Sequence, residues 1–333
     1  MGDNILIAGL GLIGKQRLDA CLDFGVKPDH IYAFDTNLSQ MSFVKEPAYL
    51  HVNFVQDLGA VQGLKFERAI VSVPHDIAPT LVFSLLSAGT KVLMEKPLGR
   101  DIDEALQIAS HANAMNLSIG FNYRFMPGVI RLKNALKAQT LGSISTLKME
   151  LGHGGGPKDA GSWKLDPVRA GGGVFLDPGI HLIDLLVYLF DATSKNTRIQ
   201  GKTEWNGFWN TGIEESVHII GYVGSIPFSI SSSIVAWRTR FKVEVIGTER
   251  YFEIDGRGRT DGPQVITEGP KWGWLSANSQ KSSEQLTELT SKDKSLDEET
   301  FSWLKGSDSV CNLEEALQGM RIYAAILGSN EEY

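Results

Sequence analysis

One hexapeptide constrains this chain more than any other feature: Gly9-Leu10-Gly11-Leu12-Ile13-Gly14, set between an apolar run and a helix-patterned segment. Residues 4–8 are strand-like and stop at Gly9. Residues 12–24 then carry Leu12, Ile13, Leu18, Cys21 and Leu22 at helical spacing, until Gly25 and Pro28 end the pattern. Residues 30–34 read as a second buried strand closed by Asp35, which completes one βαβ unit. Gly9 permits a tight turn, Gly11 keeps a Cβ away from an approaching pyrophosphate, and Gly14 lets the helix pack closely. The free N–H groups at the helix start favour the anion. Asp35 stands 21 residues after Gly14, where a carboxylate accepts from a ribose 2′-OH and repels a 2′-phosphate. No arginine follows it closely, so NAD is favoured over NADP. The plainer reading, an aspartate opening a turn before Thr36-Asn37, weighs less in this context.

The alternation continues with strands at 68–73, 91–95 and 117–121 and helices at 78–88 and 102–115. That pattern predicts an α/β Rossmann domain, a doubly wound parallel sheet, over residues 1–121. After a helix near 128–137 the chain turns strand-rich, at 143–151, 197–204, 216–222, 228–236, 240–246 and 251–254. Helices at 179–190 and 313–327 interrupt it. Residues 122–333 therefore read as an α+β substrate-binding and oligomerisation domain on an open, mostly antiparallel sheet. Its last helix is placed to pack back toward the first domain. The polar stretch 261–297 reads as a long loop or insertion.

Of the 333 residues, 42% are hydrophobic and 21% charged, the profile of a globular protein rather than a disordered one. A net charge of -7 argues against a general nucleic-acid or anionic-membrane binder. Cys21 and Cys311 are too few for a disulfide framework and lie in no metal-type spacing, so both read as buried structural thiols and no metal is expected. No apolar run approaches the ~20 residues of a membrane helix. The N-terminus enters a strand with no basic leader, so the expected location is the cytoplasm.

Two further constellations carry chemistry. Glu95-Lys96-Pro97 ends a later strand at the sheet edge where ligands of open α/β sheets bind, as does the Val73-Pro74-His75 strand end. Val73, Pro74, His75, Glu95 and Lys96 join the glycine turn, with its Leu12 and Ile13, as candidate cofactor contacts. A half-buried lysine beside a cationic nicotinamide is suited to proton transfer, although three residues alone equally fit a surface lysine. The second constellation is Gly171-Gly172-Gly173 through Asp177-Pro178-Gly179-Ile180-His181. Asp177 before Pro178 has the form of a helix N-cap with proline at the first position. His181 lies one turn on, so an acid–imidazole pair is expected at the mouth of a helix, with Asp184 near the same side.

Taken in order, these residues resemble the Gfo/Idh/MocA family, relatives of glucose–fructose oxidoreductase and inositol dehydrogenase. The closing region around residues 297–326 shares the resemblance. It implies that Lys96, Asp177 and His181 match a catalytic trio and that the Lys96–Pro97 bond can be cis. It further implies that Asn122-Tyr123-Arg124 is a crossover segment whose Asn122 and Arg124 reach cofactor or substrate, and that the chain forms homodimers or homotetramers. Where many members carry an Asn after the strand-ending proline and a His three residues on, this chain has His75 and Ala78.

The expected reaction moves a hydride between nicotinamide and a secondary alcohol or ketone of a sugar or cyclic polyol. His181 is the base, Asp177 its orienting group, and Lys96 holds the reacting oxygen. The loop from Gly152 to Trp163 precedes the catalytic helix, and Trp163 is suited to stack on a sugar ring. Lys164 and Arg169 are placed to receive a carboxylate or phosphate. The other tryptophans (205, 209, 237, 272, 274 and 303) read as core or interface anchors. Two alternatives stay open: a nucleotide-sugar dehydrogenase, and a non-catalytic dinucleotide-binding regulator.

Overall fold

The computed structural model describes residues 4–61, 63–155, 162–210, 212–258, 262–270, 285–289 and 292–328. The chain divides into two compact units, Met1–Asn122 with Leu296–Leu317, and Tyr123–Ser295 with Gln318–Tyr333. None of the described helices is long and apolar enough to cross a membrane.

In the first unit, β1 (Ile5–Ala8) is buried at all four positions, as a strand covered on both faces must be. It pairs in parallel with β2 (Ile31–Phe34) and with β4 (Arg68–Val71), while β3 (Asn53–Val55) extends the sheet beyond β2. On the other side run β5 (Lys91–Glu95) and β6 (Leu117–Gly120). Helices α1 (Leu12–Asp23), α2 (Ala78–Ser87) and α3 (Ile102–Ala109) connect them. The expected doubly wound parallel sheet is therefore present. Two elements escaped the sequence reading: β3, and β15 (Cys311–Asn312), which adds an antiparallel edge beside β6.

Helix α3 is shorter than the apolar pattern predicts. Asp101 caps its start by accepting from the Glu104 N–H at 2.8 Å. It ends at Ala109 because side chains then take over backbone groups: Ser110 Oγ donates to the Gln107 carbonyl, and His111 Nδ1 accepts from the Asn113 N–H.

One buried cluster ties this unit together. Arg17 on α1 is fully buried, and its guanidinium donates to Glu95 Oε1 at 2.6 Å and Glu299 Oε2 at 2.5 Å. It also donates to Thr300 Oγ1 and the Leu296 carbonyl. The last three residues sit on α7 (Ser295–Lys305). Burial opposes the charge on Arg17, yet the two carboxylates outweigh it and raise the pKa. A Cβ on Gly120 would lie 2.9 Å from Arg17 Nη2, so glycine there makes room for the cluster.

The second unit is built on an eight-stranded sheet. Its strands are β7 (Ile144–Gly152), β8 (Thr197–Trp205), β9 (Ser216–Val223), β10 (Ile226–Ser233), β11 (Arg240–Gly247), β12 (Arg250–Asp255), β13 (Val265–Pro270) and β14 (Gln285–Glu288), in the order β14-β13-β12-β11-β7-β10-β9-β8. All pairs are antiparallel except β7 with β10. One face carries the core, including Met149, Ile219, Ile230, Phe241 and Val243. The other bears cross-strand pairs, Lys148 with Glu244 and Lys242 with Glu253. Also in this unit are α4 (Pro127–Lys137), the short α5 (Pro167–Ala170) and α6 (Ile180–Phe190), which is buried nearly all round. The closing helix α8 (Leu313–Gly328) carries the boundary between the units.

The 261–297 stretch is not the plain loop its polar composition predicts. β13 and β14 extend the sheet there, with Ile266 and Gln264 buried, because the sheet edge supplies the partners that a polar strand needs. Trp272 and Trp274 lie outside the described residues. Trp303 is buried, whereas Trp205 and Trp237 are exposed rather than core.

Replacing Arg17 by Met leaves the fully buried Glu299 and the part-buried Glu95 without their counter-charge. We expect a loss of about 3–5 kcal/mol in denaturant unfolding. A loss under about 1 kcal/mol would show that the cluster does not hold the unit.

Candidate functional site

The register Ala8↔Phe34 and Ala8↔Val71 brings the ends of β1, β2 and β4 level, so the glycine turn, Asp35 and Ser72 share one sheet edge. Gly9 has φ +87°, and a Cβ there would meet the Ser72 carbonyl oxygen at 2.5 Å. A Cβ on Gly14 would lie 1.7 Å from the Gly9 oxygen, so the helix can start this tightly only with glycine. At Gly11 a Cβ would meet nothing within 4 Å, which leaves its outer side open to a ligand. Helix α1 has no side-chain cap, so its first N–H groups face outward, and Leu12 beside them is 73% exposed. Ile13 follows in the same turn.

The Asp35 carboxylate is pinned to this turn. It accepts from the Leu10 N–H at 2.8 Å through Oδ2 and from the Asn37 N–H at 2.8 Å through Oδ1. The turn-opening role and the ribose-binding role therefore coexist, since each oxygen keeps a lone pair to offer. This donor set fits a dinucleotide. Val73, Pro74 and His75 follow β4 on the same edge, half-buried, and Lys96 follows β5 with a cis bond to Pro97. Glu95, expected as a cofactor contact, has its carboxylate engaged with Arg17.

In the second unit the glycine-rich approach is held by Glu214. Its Oε1 accepts from the Gly173 and Phe175 N–H groups, at 2.9 and 3.3 Å, and its carbonyl accepts from Val174. A Cβ on Gly173 would lie 2.4 Å from the Glu214 oxygen. Burial pushes the Glu214 carboxyl pKa up, although the backbone donors work against that shift.

Asp177 is not the helix cap its sequence context predicts. The Asp177–Pro178 bond is cis, α6 starts at Ile180, and its N-cap Gly179 makes no side-chain cap. The carboxylate instead accepts from Lys164 Nζ at 2.8 Å, so Lys164 is committed to Asp177. Trp163, half-buried, precedes it, and Lys164 Nζ lies 5.7 Å from that indole. Residues 156–161 of the preceding loop lie outside the described residues.

His181 is 4% exposed and stacks flat on Tyr123, with ring centroids 3.9 Å apart at an angle of 5°. Tyr123 also packs edge-on against Phe241, and its hydroxyl accepts from Arg257. Arg124, expected to reach substrate, is 1% exposed. It forks onto Asp184, with Nη2 2.6 Å from Oδ1 and Nε 2.9 Å from Oδ2. It is a buried strut, and Asp184, three residues after His181 on α6, is its partner. Asn122 is buried. Tyr123, Glu214 and Arg257 were missed by the sequence reading. Only Tyr123 gave a signal there, lying between two chosen residues. No group of metal-ligating side chains occurs among the described residues.

Residues 4–123 match the family model described as oxidoreductase family, NAD-binding Rossmann fold, and residues 129–253 match the GFO/IDH/MocA C-terminal domain. The chain is similar to myo-inositol 2-dehydrogenase of Thermotoga maritima, 32% identical over 56% of this chain and 54% of that protein. It is also similar to glucose-6-phosphate 3-dehydrogenase of Bacillus subtilis, 25% identical over 62% and 67%. Matches to the curated relatives span between 35% and 67% of their own length. A levoglucosan dehydrogenase solved with NADH and levoglucosan shares the fold, with TM-score 0.79, 15% identity, and coverage of 99% of this chain and 97% of that one.

Because burial raises the Glu214 pKa, the native state binds this proton more tightly than the unfolded chain does. This group's contribution to stability is therefore present at low pH and lost as pH rises through the folded value. Gln at 214 keeps the oxygen that Gly173 and Phe175 need. We expect Glu214→Gln to gain in melting temperature over wild type from pH 5 to pH 8, and equal loss at both pH values would contradict this account.

Proposed function

Because the chain belongs to the GFO/IDH/MocA family of oxidoreductases, we propose that it is an NAD-dependent dehydrogenase that interconverts a secondary alcohol and a ketone on a sugar or cyclic polyol. The observation that carries the reading is the Asp35 carboxylate held against the glycine turn, on the sheet edge from which Lys96 also emerges. The names of the inositol and glucose-6-phosphate relatives support the substrate class.

In this reading the open side of Gly11 and the first N–H groups of α1 hold the pyrophosphate, with Leu12, Ile13 and the Val73-Pro74-His75 strand end along the nucleotide. Asp35 accepts from the adenosine ribose. The nicotinamide, when bound, accepts or returns a hydride at C4. His181 takes the proton of the substrate hydroxyl as the C–H bond breaks and returns it in reduction. Tyr123, flat against the imidazole, fixes the plane of that base. Lys96 donates to the reacting oxygen and stabilises its alkoxide character. Asp177, with Lys164 on its carboxylate, orients the substrate beside the base, and Trp163 stacks on the ring. Asn122 stays a proposed contact; Arg124 acts by bracing α6. We further propose a cytoplasmic homodimer or homotetramer.

His181→Asn is expected to lower kcat by about 10²–10⁴-fold with the NAD dissociation constant unchanged, followed as NADH absorbance and cofactor fluorescence. Lys96→Met should also lower kcat. Near-normal turnover in either variant would remove that residue from the chemistry. Asp35→Ala should weaken NAD and narrow its preference over NADP; an unchanged preference would contradict the ribose assignment.

A further inference from the structure

Gly256-Arg257-Gly258 follows β12 in the second unit, and both glycines take left-handed backbone angles, φ +80° and +74°. A side chain at 256 is barred, since a Cβ there would lie 2.6 Å from the Pro263 oxygen. Both flanks are fastened. The Gly256 N–H donates to the Phe241 carbonyl at 2.9 Å, Gln264 Nε2 donates to the Gly256 carbonyl at 3.2 Å, and the Asp293 N–H donates to the Gly258 carbonyl at 2.8 Å. A turn built this tightly presents the one side chain between the glycines at low entropic cost.

That side chain is a half-buried guanidinium with no carboxylate partner among the described residues. It donates to the Tyr123 hydroxyl and lies 5.2 Å from that ring. Its Nε is buried and meets no acceptor there. The two fully buried arginines described above each meet carboxylates: Arg17 two glutamates, Arg124 Asp184. An unmet donor on a buried cation is costly unless an acceptor arrives. Tyr123 in turn lies 3.9 Å from His181, so the guanidinium carbon and the imidazole centre are no more than about 9 Å apart. A six-carbon sugar that offers a ring hydroxyl to the imidazole can carry a terminal substituent over that range.

We infer that Arg257 is a specificity-determining residue that binds an anionic group on the substrate, the carboxylate of a sugar acid or the phosphate of a sugar phosphate. The inference deepens the dehydrogenase reading and rests on it for the role of His181. A guanidinium whose Nε still lacks an acceptor can donate to an oxygen of either anion.

The test compares three probes that share one ring, glucose, glucuronate and glucose 6-phosphate, with their galacto and manno counterparts. Each is titrated by calorimetry into the NAD-loaded protein and assayed for NADH formation. Wild type should bind at least one anionic probe about ten- to a hundredfold more tightly than its neutral analogue. Arg257→Gln should lose that margin, chiefly in KM, while Arg257→Lys keeps part of it. The carboxylate and phosphate arms show which anion is bound. If Arg257 merely braces Tyr123, neutral and anionic probes weaken alike and the inference falls. It falls also if wild type shows no anionic preference. Anion binding that depends on Arg257 but gives no NADH keeps this site and removes the dehydrogenase reading instead.

Discussion

The guanidinium of Arg17 is the interaction on which the first unit turns. It sits one helical turn inside the glycine-rich start of α1, yet its bonds run to the end of β5, just before Lys96, and to α7 nearly three hundred residues on. Burying one cation between two carboxylates is expensive unless each hydrogen bond is made, and here the Nε, Nη1 and Nη2 groups all find acceptors. The consequence is functional as much as structural. The nucleotide turn and the residue expected to touch the reacting oxygen are set by one shared group, so a shift in either must disturb the other.

The second unit solves its own positioning problem by different means. Backbone carries the load: Glu214 clamps the glycine approach, a cis proline precedes the helix, and the Tyr123 ring lies flat on His181. Arg124 and Asp184 brace the same helix from within. These contacts hold a nearly inaccessible ring in one orientation, which is what a proton acceptor requires. Its neighbour Asp177, paired with an exposed lysine, stays closer to solvent.

Much of this was legible because it was local. The glycine turn, Asp35 and the strand–helix alternation each follow from residues within a few positions, and the parallel sheet follows from them. The antiparallel strands were legible from alternation, but the parallel β7–β10 pairing was not, since nothing in either strand names its neighbour. Asp177 misled because aspartate-proline is an excellent helix start, and the backbone took a cis bond instead. The pairings of Arg17, Arg124 and Glu214 were silent because their partners lie far along the chain: 78 and 282 residues for Arg17, 60 for Arg124 and about 40 for Glu214. The 261–297 stretch misled by composition, since sheet edges recruit polar strands that no core pattern marks.

Tracing the hydride itself tests the account most directly. NADH deuterated separately on each face of C4 is incubated with the protein and a set of oxidised sugars and inososes, and the products are read by mass spectrometry. The account requires deuterium from one face only, delivered to the carbinol carbon in a one-to-one ratio with cofactor oxidised. Cofactor that binds tightly while no product carbon gains the label, from either face, would contradict it.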